Sequence, residues 1–426
     1  MATTRREFIK RSAGAVSVGL VMPSLFLTQA RGQSPVARRK LVIIQFHGGN
    51  DGLNTVIPYT DSRYYALRPT LAFRDTELNA ASRSTIISNS FGLHPAMSEI
   101  KDLWDQNKVA VTLGVGYQNS TLSHFLAMDI WHTADTGGLA GKGWLGKYAD
   151  VALFGQQGLP AVAVGGELPK SLYASKVVVP NIFNFQLYSF LTDPAYPGDY
   201  ANQLNAFNAA ASRPLGDDSV LGAINKTAFE SVSGAQRVQS AISGYRSSVV
   251  YNQNNPLAVA LQMLAQLITT VPEASLFYAT LYGFDHHAGQ IEYSTGRANK
   301  FAGQHAVLLK WFSEATKSFY DDLTEHRLAD DTLILQWSEF GRRPAENASF
   351  GTDHGTTAPL FVIGNAVRGG FYGEQPSLAA TQLDAGGNPR FKVDFRSVYA
   401  TILTKWLNTD ARAILGATYE NVGFLG

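Results

Sequence analysis

The chain contains no cysteine among its 426 residues, so neither disulfide bonds nor thiolate metal ligands are available to it. Any bound metal must therefore be held by oxygen atoms and imidazole nitrogens. An excess of basic charge is also missing, because 35 Lys and Arg residues face 34 Asp and Glu residues. A nucleic-acid partner requires a basic surface, and we therefore expect none here.

The N-terminal segment lacks an apolar run long enough to span a membrane. The stretch Ala13–Leu27 is interrupted by Ser, Gly and Pro and falls short of the roughly 20 apolar residues that cross a bilayer. It follows Arg5–Lys10, which has the usual residue order of a twin-arginine export signal, and it precedes the small residues of Thr28–Ala30. This pattern predicts a signal peptide over residues 1–30, cleaved after Ala30.

Export by this pathway would make the protein periplasmic or secreted, with the twin-arginine translocase as its partner during export and no membrane span afterwards. An uncleaved N-terminal anchor is the alternative. The segment carries four basic residues and one acidic residue, so its removal changes the net charge from +1 to −2. Proteins exported in the folded state are often those that acquire a metal or cofactor first.

Short apolar runs that end in glycine-rich or polar turns recur along the chain. They are Leu41–Phe46, Val109–Val115, Ala161–Val164, Leu276–Leu281, Thr332–Trp337 and Leu360–Ile363. Helical segments lie between them, at Pro95–Gln106, Leu122–Thr133, Pro256–Thr269, Ala298–Glu325 and Phe395–Leu407. This alternation predicts an α/β fold, a three-layer αβα sandwich with a mostly parallel sheet.

One domain is predicted over residues 40–426, after a linker at residues 31–39. Residues 181–255 differ from the rest because they are rich in Asn, Gln, Ala and Ser. Their helical periodicity is clear at Tyr200–Ala211 and Val220–Tyr245, and no strand is evident. We expect a helical insertion at about residues 181–255 that shapes a substrate pocket.

Potential metal ligands follow several of the predicted strands. Because functional groups collect at the carboxyl ends of parallel strands, Asp51, Asp285, His287 and Glu339 are expected to converge. The glycine-flanked segment Gly351–Gly355 adds Asp353 and His354. Carboxylates and imidazoles suit one or two divalent ions, among which zinc, manganese, calcium and magnesium are not distinguished. Ordinary polar turns are the alternative for each segment.

Two further residues are candidates for catalysis. Ser123 opens a predicted helix, where free backbone amides favour an anion, so it is either a nucleophile or the helix cap. Arg342 lies three residues after Glu339 and forms either a structural ion pair or a contact to an anionic substrate oxygen.

Four further histidines are not expected to belong to a functional site. We expect His94 and His132 to be structural, and His305 and His326 to be solvated.

Six motifs occur in order and together resemble one family. They are His47–Thr55, Ser123–Phe125, Gly143–Gly146, Gly283–Gln290, Ser338–Arg342 and Gly351–Gly355. The set is similar to the twin-arginine-exported bacterial family known as domain of unknown function 1501. That family is grouped by fold with the alkaline phosphatase and sulfatase superfamily. The resemblance covers nearly everything from Lys40 to the C-terminus and implies an alkaline-phosphatase-like fold.

The resemblance also implies a set of residue roles. The superfamily places two divalent metals at strand ends, with a Ser, Thr or modified Cys nucleophile between them. Asp51 resembles the first-strand Asp ligand and Ser123 resembles the nucleophile. Asp285 and His287 resemble the Asp and His of one metal site, and His354 resembles its later His.

This sequence departs from the superfamily pattern after the strand Thr332–Trp337. An Asp-His pair is expected there, and Glu339-Phe340 stands in its place. Glutamate can bind a metal and phenylalanine cannot, which puts the second metal in doubt. In an alternative alignment, Asp353 and His354 form the pair.

The resemblance implies an exported metal-dependent hydrolase of phosphate or sulfate esters, acting on a small-molecule or polymer ester. A non-catalytic binding or assembly protein on the same fold, with a degenerate metal site, is the main alternative. A metal-free Ser-His hydrolase is a third possibility, and the absence of a Gly-x-Ser-x-Gly motif weighs against it.

Overall fold

The computed structural model describes residues 39–80, 84–137, 141–156, 158–185, 188, 193, 195–211 and 220–426. The signal peptide expected at residues 1–30 and all of the expected linker except Arg39 lie outside the described residues. In the part of the chain that is described, no helix is long and apolar enough to cross a membrane.

The described strands are numbered in chain order. They are β1 (Lys40–His47), β2 (Val56–Ile57), β3 (Gly92–Leu93), β4 (Val109–Gly116), β5 (Ala161–Val164), β6 (Asn181–Ile182), β7 (Leu276–Tyr282), β8 (Glu292–Ser294), β9 (Arg297–Asn299), β10 (Thr332–Ser338), β11 (Gly341–Glu346), β12 (Thr352–Gly355), β13 (Ala358–Ile363), β14 (Gly370–Gly373) and β15 (Val393–Asp394).

The α-helices are numbered in the same way. They are α1 (Gly52–Thr55), α2 (Ser62–Leu67), α3 (Asp75–Ala80), α4 (Ser98–Asp105), α5 (His124–Thr133), α6 (Trp144–Tyr148), α7 (Tyr200–Ala211), α8 (Val220–Gly244), α9 (Pro256–Thr270), α10 (Gln304–Glu325), α11 (Phe395–Thr401) and α12 (Ala411–Leu415). Short π-helical turns, Ala149–Leu153 and Ile402–Trp406, continue α6 and α11.

A nine-stranded sheet forms the centre of the molecule, as the apolar runs predict. Its order is β14-β4-β13-β10-β1-β7-β5-β6, with β15 also paired to β4. Strand β13 is antiparallel to both β4 and β10, and every other pairing in this sheet is parallel. The prediction of a mostly parallel sheet is therefore confirmed.

Helices cover both faces of the sheet. In β1, Val42 and Ile44 belong to one apolar cluster, whereas Leu41 and Ile43 belong to the other. This is because successive side chains of a strand point to opposite faces. Helices α4, α9 and α10 pack on the first face, and helices α5, α6, α11 and α12 pack on the second. The fold is the predicted three-layer sandwich.

The segment 181–255 contains both helices that its periodicity predicts, α7 and α8. Helix α8 packs against α9. The segment also contains β6, which pairs with β5 and extends the sheet by one short strand. No strand is evident in the sequence there, because two residues are too few to give a recognisable pattern.

Helix α10 begins later than the predicted Ala298. Residues 292–299 form the hairpin β8–β9, whose turn places Thr295 and Gly296 at φ values of +51° and +77°. Gly303, with φ +111°, then precedes the first helical residue. The two left-handed turn residues explain why a hairpin replaces the first part of the predicted helix.

Two histidines expected to be solvated are not. His305 on α10 is 2% exposed, because its side of the helix packs against the sheet, and its Nε2 lies 3.1 Å from Asn50 Oδ1. His326 is partly buried, and its two ring nitrogens each lie 2.9 Å from a backbone carbonyl oxygen, those of Asp322 and Arg246. His94 and His132 are buried, as predicted.

Candidate metal centre

Three side chains from distant parts of the chain meet at one edge of the sheet. His124, Asp285 and His354 each offer a donor atom, and these donors lie within 4.8 Å of one another. Imidazole nitrogen together with carboxylate oxygen is a donor set that binds zinc and similar ions. The three residues therefore form the candidate centre.

Each of the three residues is placed by a different element. Asp285 follows the end of β7, and His124 is the first residue of α5. His354 lies in β12, just before β13. Because β13 is antiparallel to β10, its beginning lies at the edge where the parallel strands end. The direction of one strand thus brings His354 to the site.

The loop after β1 supports the loop that carries Asp285. The amide nitrogens of Gly283 and Phe284 donate to the His47 carbonyl oxygen at 3.2 and 3.0 Å. Gly48 has φ +123°, and a Cβ atom there would lie 2.8 Å from the carbonyl carbon of Phe284. Only glycine allows this conformation and this close approach.

Arg342 orients Asp285 from the buried side of the centre. Its side chain is fully buried, and Nη2 donates to Asp285 Oδ1 at 2.6 Å. Nε and Nη1 donate to the carbonyl oxygens of Gly49 and Thr352 at 2.7 and 2.8 Å. Partial burial acts to raise the pKa of Asp285, but the hydrogen bond and charge of Arg342, together with the neighbouring imidazoles of His354 and His124, lower it to about 2. Asp285 is therefore ionised at neutral pH.

Glu339 lies behind His124. It is completely buried, and Oε1 accepts hydrogen bonds from Gly48 N and His124 Nδ1, both at 2.8 Å. The hydrogen bond to Glu339 raises the pKa of His124. The other ring nitrogen of His124, Nε2, is buried without a hydrogen-bond partner and lies 3.4 Å from Asp285 Oδ2. Glu339 thus reaches the centre through His124.

His354 presents Nε2 to the centre. Its Nδ1 lies 2.8 Å from the Leu122 carbonyl oxygen, which can only accept, so Nδ1 carries the proton. Nε2 lies 3.1 Å from Asp285 Oδ1. Burial lowers the pKa of His354, which favours the neutral ring that binds metals.

His287 and Asp353 lie on the exposed side of the centre. His287 Nε2 lies 3.3 Å from Asp285 Oδ1 and 2.9 Å from His354 Nε2. Its Nδ1 lies 3.1 Å from Asp353 Oδ1. Both side chains are nearly half exposed. The structure therefore brings His287 next to the three donors, and Asp353 contacts the other ring nitrogen of His287.

Ser123 precedes His124 and occupies the N-cap position of α5, but its side chain makes no capping hydrogen bond. The expected alternative role, capping by the hydroxyl, is therefore not present in this structure.

Asp51 lies outside the group of three donors. It is 1% exposed, and Oδ2 accepts from Arg68 Nη1 at 2.6 Å and from Gln290 Nε2 at 2.5 Å. Burial acts to raise the pKa of Asp51, but the charge and hydrogen bond of Arg68, together with smaller effects of His305 and Gln290, lower it.

Sequence reasoning missed His124 as a possible ligand. The available signal was its position at the start of a helix that follows a strand, directly after the candidate nucleophile Ser123. Phe340, in the position of an expected histidine, has its ring centroid 4.7 Å from that of His124 and 4.6 Å from that of His354.

Sequence comparison gives the family. The family model described as "Protein of unknown function (DUF1501)" matches residues 38–418. The chain belongs to this family. No curated protein matches the sequence of this DUF1501 protein.

Several solved structures are similar to this DUF1501 protein at low sequence identity. A member of the alkaline phosphatase superfamily from Vibrio parahaemolyticus is 11% identical, with a TM-score of 0.40, 97% of this chain covered and 78% of that chain. Alkaline phosphatase from the Antarctic bacterium TAB5 is 12% identical, with a TM-score of 0.32 and coverages of 77% and 92%. The soluble domain of lipooligosaccharide phosphoethanolamine transferase A from Neisseria meningitidis is 11% identical, with a TM-score of 0.33 and coverages of 78%.

Proposed function

We propose that this protein is a metal-dependent hydrolase of phosphate or sulfate esters. The observation that carries the proposal is the convergence of His124, Asp285 and His354 at the edge of the sheet where its parallel strands end. Two imidazole nitrogens and one carboxylate oxygen are three protein ligands, the number typical of catalytic zinc sites that keep a position open.

The donor set fits a divalent ion in its chemistry. Asp285 is held ionised by Arg342, and His354 is held neutral with Nε2 toward the centre. His124 directs an unpartnered Nε2 to the same place. An ion bound there would polarise an ester oxygen and lower the pKa of a bound water.

A substrate would reach the centre from the side on which two of its side chains are exposed. The Asp285 side chain is 48% exposed and that of His287 is 47% exposed, so the centre opens to solvent on this side. Ser123 adjoins His124 and is the proposed nucleophile, with a water molecule as the alternative. Arg342 makes its contacts to Asp285 and backbone carbonyls, so its proposed role is to position the ligand.

A non-catalytic binding or assembly protein is the second candidate. The observation that favours it is Phe340, whose ring packs on His124 and His354. A phenyl ring cannot bind a metal or transfer a proton. Under this hypothesis the ion stabilises the fold and no ester is cleaved.

Metal content and ester cleavage together test the proposal. The mature protein, purified after export and without chelator, is measured by elemental mass spectrometry and incubated with aryl phosphates and aryl sulfates. We expect bound divalent metal and release of the aryl alcohol, with both lost in Asp285→Asn and in His354→Ala. His326→Ala, a histidine outside the centre, is the matched control and should retain both.

The outcomes separate the two candidate functions. Metal without cleavage of any phosphate or sulfate ester would favour the binding protein. Wild-type protein that contains no metal would overturn the metallohydrolase proposal.

We also propose export through the twin-arginine pathway. Its basis is the sequence of Arg5–Lys10, which lies outside the described residues. Replacement of Arg5 and Arg6 together by Lys should prevent appearance of a shortened, mature protein in the periplasmic fraction. An unchanged distribution in immunoblots of cell fractions would contradict this pathway.

A further inference from the structure

We propose that this protein holds one divalent ion where two are expected from its resemblance to the alkaline phosphatase superfamily. Asp51 and Glu339 would then not bind metal. Instead, Asp51 neutralises Arg68 and Glu339 orients His124. The inference rests on the proposed function for its first ion, and it concerns the number of ions and the roles of these two carboxylates.

The first argument is the buried ion pair of Asp51. Its partner Arg68 is fully buried, and their closest atoms, Nη1 and Oδ2, are 2.6 Å apart. The guanidinium is fixed further by Nε, which donates to the Pro344 carbonyl oxygen at 2.7 Å, and by Nη2, which donates to the Arg343 carbonyl oxygen at 2.9 Å. Arg68 Nη1 also donates to Asn54 Oδ1 at 2.9 Å.

A divalent ion at Asp51 would be placed beside this guanidinium. One carboxylate would then face three positive charges in a site closed to water, where repulsion between like charges is poorly screened. Arg68 cannot lose its proton, because its pKa lies far above neutral pH. The Arg68 charge therefore neutralises Asp51 without a second ion, through contacts to Oδ2, whereas Oδ1 is buried without a hydrogen-bond partner.

The second argument is the use of the Glu339 carboxylate. Its Oε1 accepts from Gly48 N and from His124 Nδ1. Its Oε2 lies 3.2 Å from Ser338 Oγ, whose single proton is donated to the Phe46 carbonyl oxygen at 2.8 Å. Oε1 is therefore occupied by two donors within the protein. A carboxylate that orients a ligand histidine in this way is a common feature behind metal sites.

The third argument is Phe340. Its ring lies against the rings of His124 and His354, and a Cβ atom on Gly49 would collide with the same ring. The phenyl ring thus fills space beside the first ion with an apolar group. In the part of the chain that the structure describes, the histidine and carboxylate donors close enough to hold an ion are those of His124, Asp285 and His354, with His287 Nε2 beside them.

The number of ions per chain tests this inference directly. Exported protein is equilibrated with zinc, and separately with manganese, freed of unbound metal by gel filtration, and measured by elemental mass spectrometry against protein concentration. We expect about one ion per chain in the wild-type protein and none in Asp285→Asn. Two ions per chain would overturn the inference and leave the proposed function intact, whereas no ion would overturn both.

A double variant tests the role assigned to Asp51 without leaving a buried charge unpaired. Asp51→Leu combined with Arg68→Met removes both partners, and a buried pair replaced by apolar groups is often tolerated. Circular dichroism and thermal unfolding establish that the variant is folded. The folded variant should bind the same single ion as the wild type, and loss of that ion would overturn the inference.

Discussion

Nδ1 of His124 lies 2.8 Å from Oε1 of Glu339, and this hydrogen bond directs Nε2 of the same ring toward Asp285. Because Glu339 is completely buried, no water competes for the bond. Glu339, which the sequence presents as a possible ligand, therefore contacts the candidate centre through His124.

Glu339→Gln should weaken metal binding without abolishing it. The amide keeps an acceptor for one donor but loses the negative charge that orients and polarises His124. Loss of such a partner typically costs about 10- to 100-fold in metal affinity, so we expect a dissociation constant raised by that factor, measured by competition with a chromogenic chelator.

Glu314→Gln is the control for this measurement, because Glu314 pairs with Lys310 on helix α10 and not with a residue of the centre. It should leave the affinity for metal unchanged. Equal affinity of Glu339→Gln and the wild type would show that the charge of Glu339 contributes nothing to the centre.

Arg68→Met should destabilise the protein strongly. The substitution leaves Asp51 buried without its cationic partner, and removal of one partner of a buried pair costs about 3–5 kcal/mol. Chemical denaturation in urea should show this loss in the free energy of unfolding. Arg63→Met is the matched control, because Arg63 is more than half exposed and pairs with Asp61 at 3.4 Å. An exposed pair contributes about 0–1 kcal/mol, and a similar loss in both variants would contradict the assignment.

The stability of the protein should fall as the solution is acidified from neutral pH. Burial lowers the pKa of His94 to about 3 and that of His132 to about 3, whereas an unfolded imidazole titrates near 6.5. The unfolded state therefore binds protons first. The stability from each neutral, buried ring is fully present above pH of about 6.5 and is lost as pH falls toward 3, at about 1.4 kcal/mol per pH unit.

His132→Gln isolates one of these contributions. His132 Nε2 contacts Gln45 Oε1 at 3.2 Å, and glutamine can keep a hydrogen bond there without titrating. The variant should show a shallower fall in unfolding free energy between pH 6.5 and 4 than the wild type. His326→Gln should not, because hydrogen bonds to backbone carbonyls overcome partial burial and raise the pKa of His326. Identical slopes for His132→Gln and the wild type would contradict a neutral, buried ring.

Gly48→Ala should disturb the centre through the backbone. The positive φ of Gly48 and the nearby Phe284 backbone leave no space for a methyl group, so the loop that carries Asp285 must shift. Backbone strain of this kind costs about 1–3 kcal/mol, and we expect a lower midpoint of thermal unfolding together with weaker metal binding. Gly166→Ala is the control, because a Cβ atom there meets nothing within 4 Å. A normal metal affinity in Gly48→Ala would show that the loop tolerates the shift.

Local patterns in the sequence were sufficient to predict the architecture. The apolar runs at β1, β4, β5, β7, β10 and β13 are continuous, because strands buried on both faces admit few polar side chains. The helices α7, α8 and α9 begin at the predicted residues, since helical periodicity is visible within each segment. These signals are local, so they can be recognised without knowing which residues are neighbours in space.

Some residues of the candidate centre could also be predicted from the sequence. Asp285 and His354 follow glycine-rich patterns that place polar donors at loops, and both lie in the centre. Absence of cysteine restricted any ligand set to oxygen and nitrogen before the fold was known. His124 was missed because its signal, a position at the start of a helix that follows a strand, does not by itself distinguish a ligand from a surface residue.

Only the tertiary structure decided which of these side chains meet. The antiparallel direction of β13 brings His354 to the edge where β7 ends, and strand direction is a property of pairing that no local pattern records. In the same way, Asp51 pairs with Arg68, 17 residues away, and His305 is buried against Asn50. The sequence by itself determined which donors exist and which elements carry them, because composition and periodicity are local. The tertiary structure determined which donors meet at the candidate centre and which form ion pairs, because that depends on distances between segments far apart in the chain.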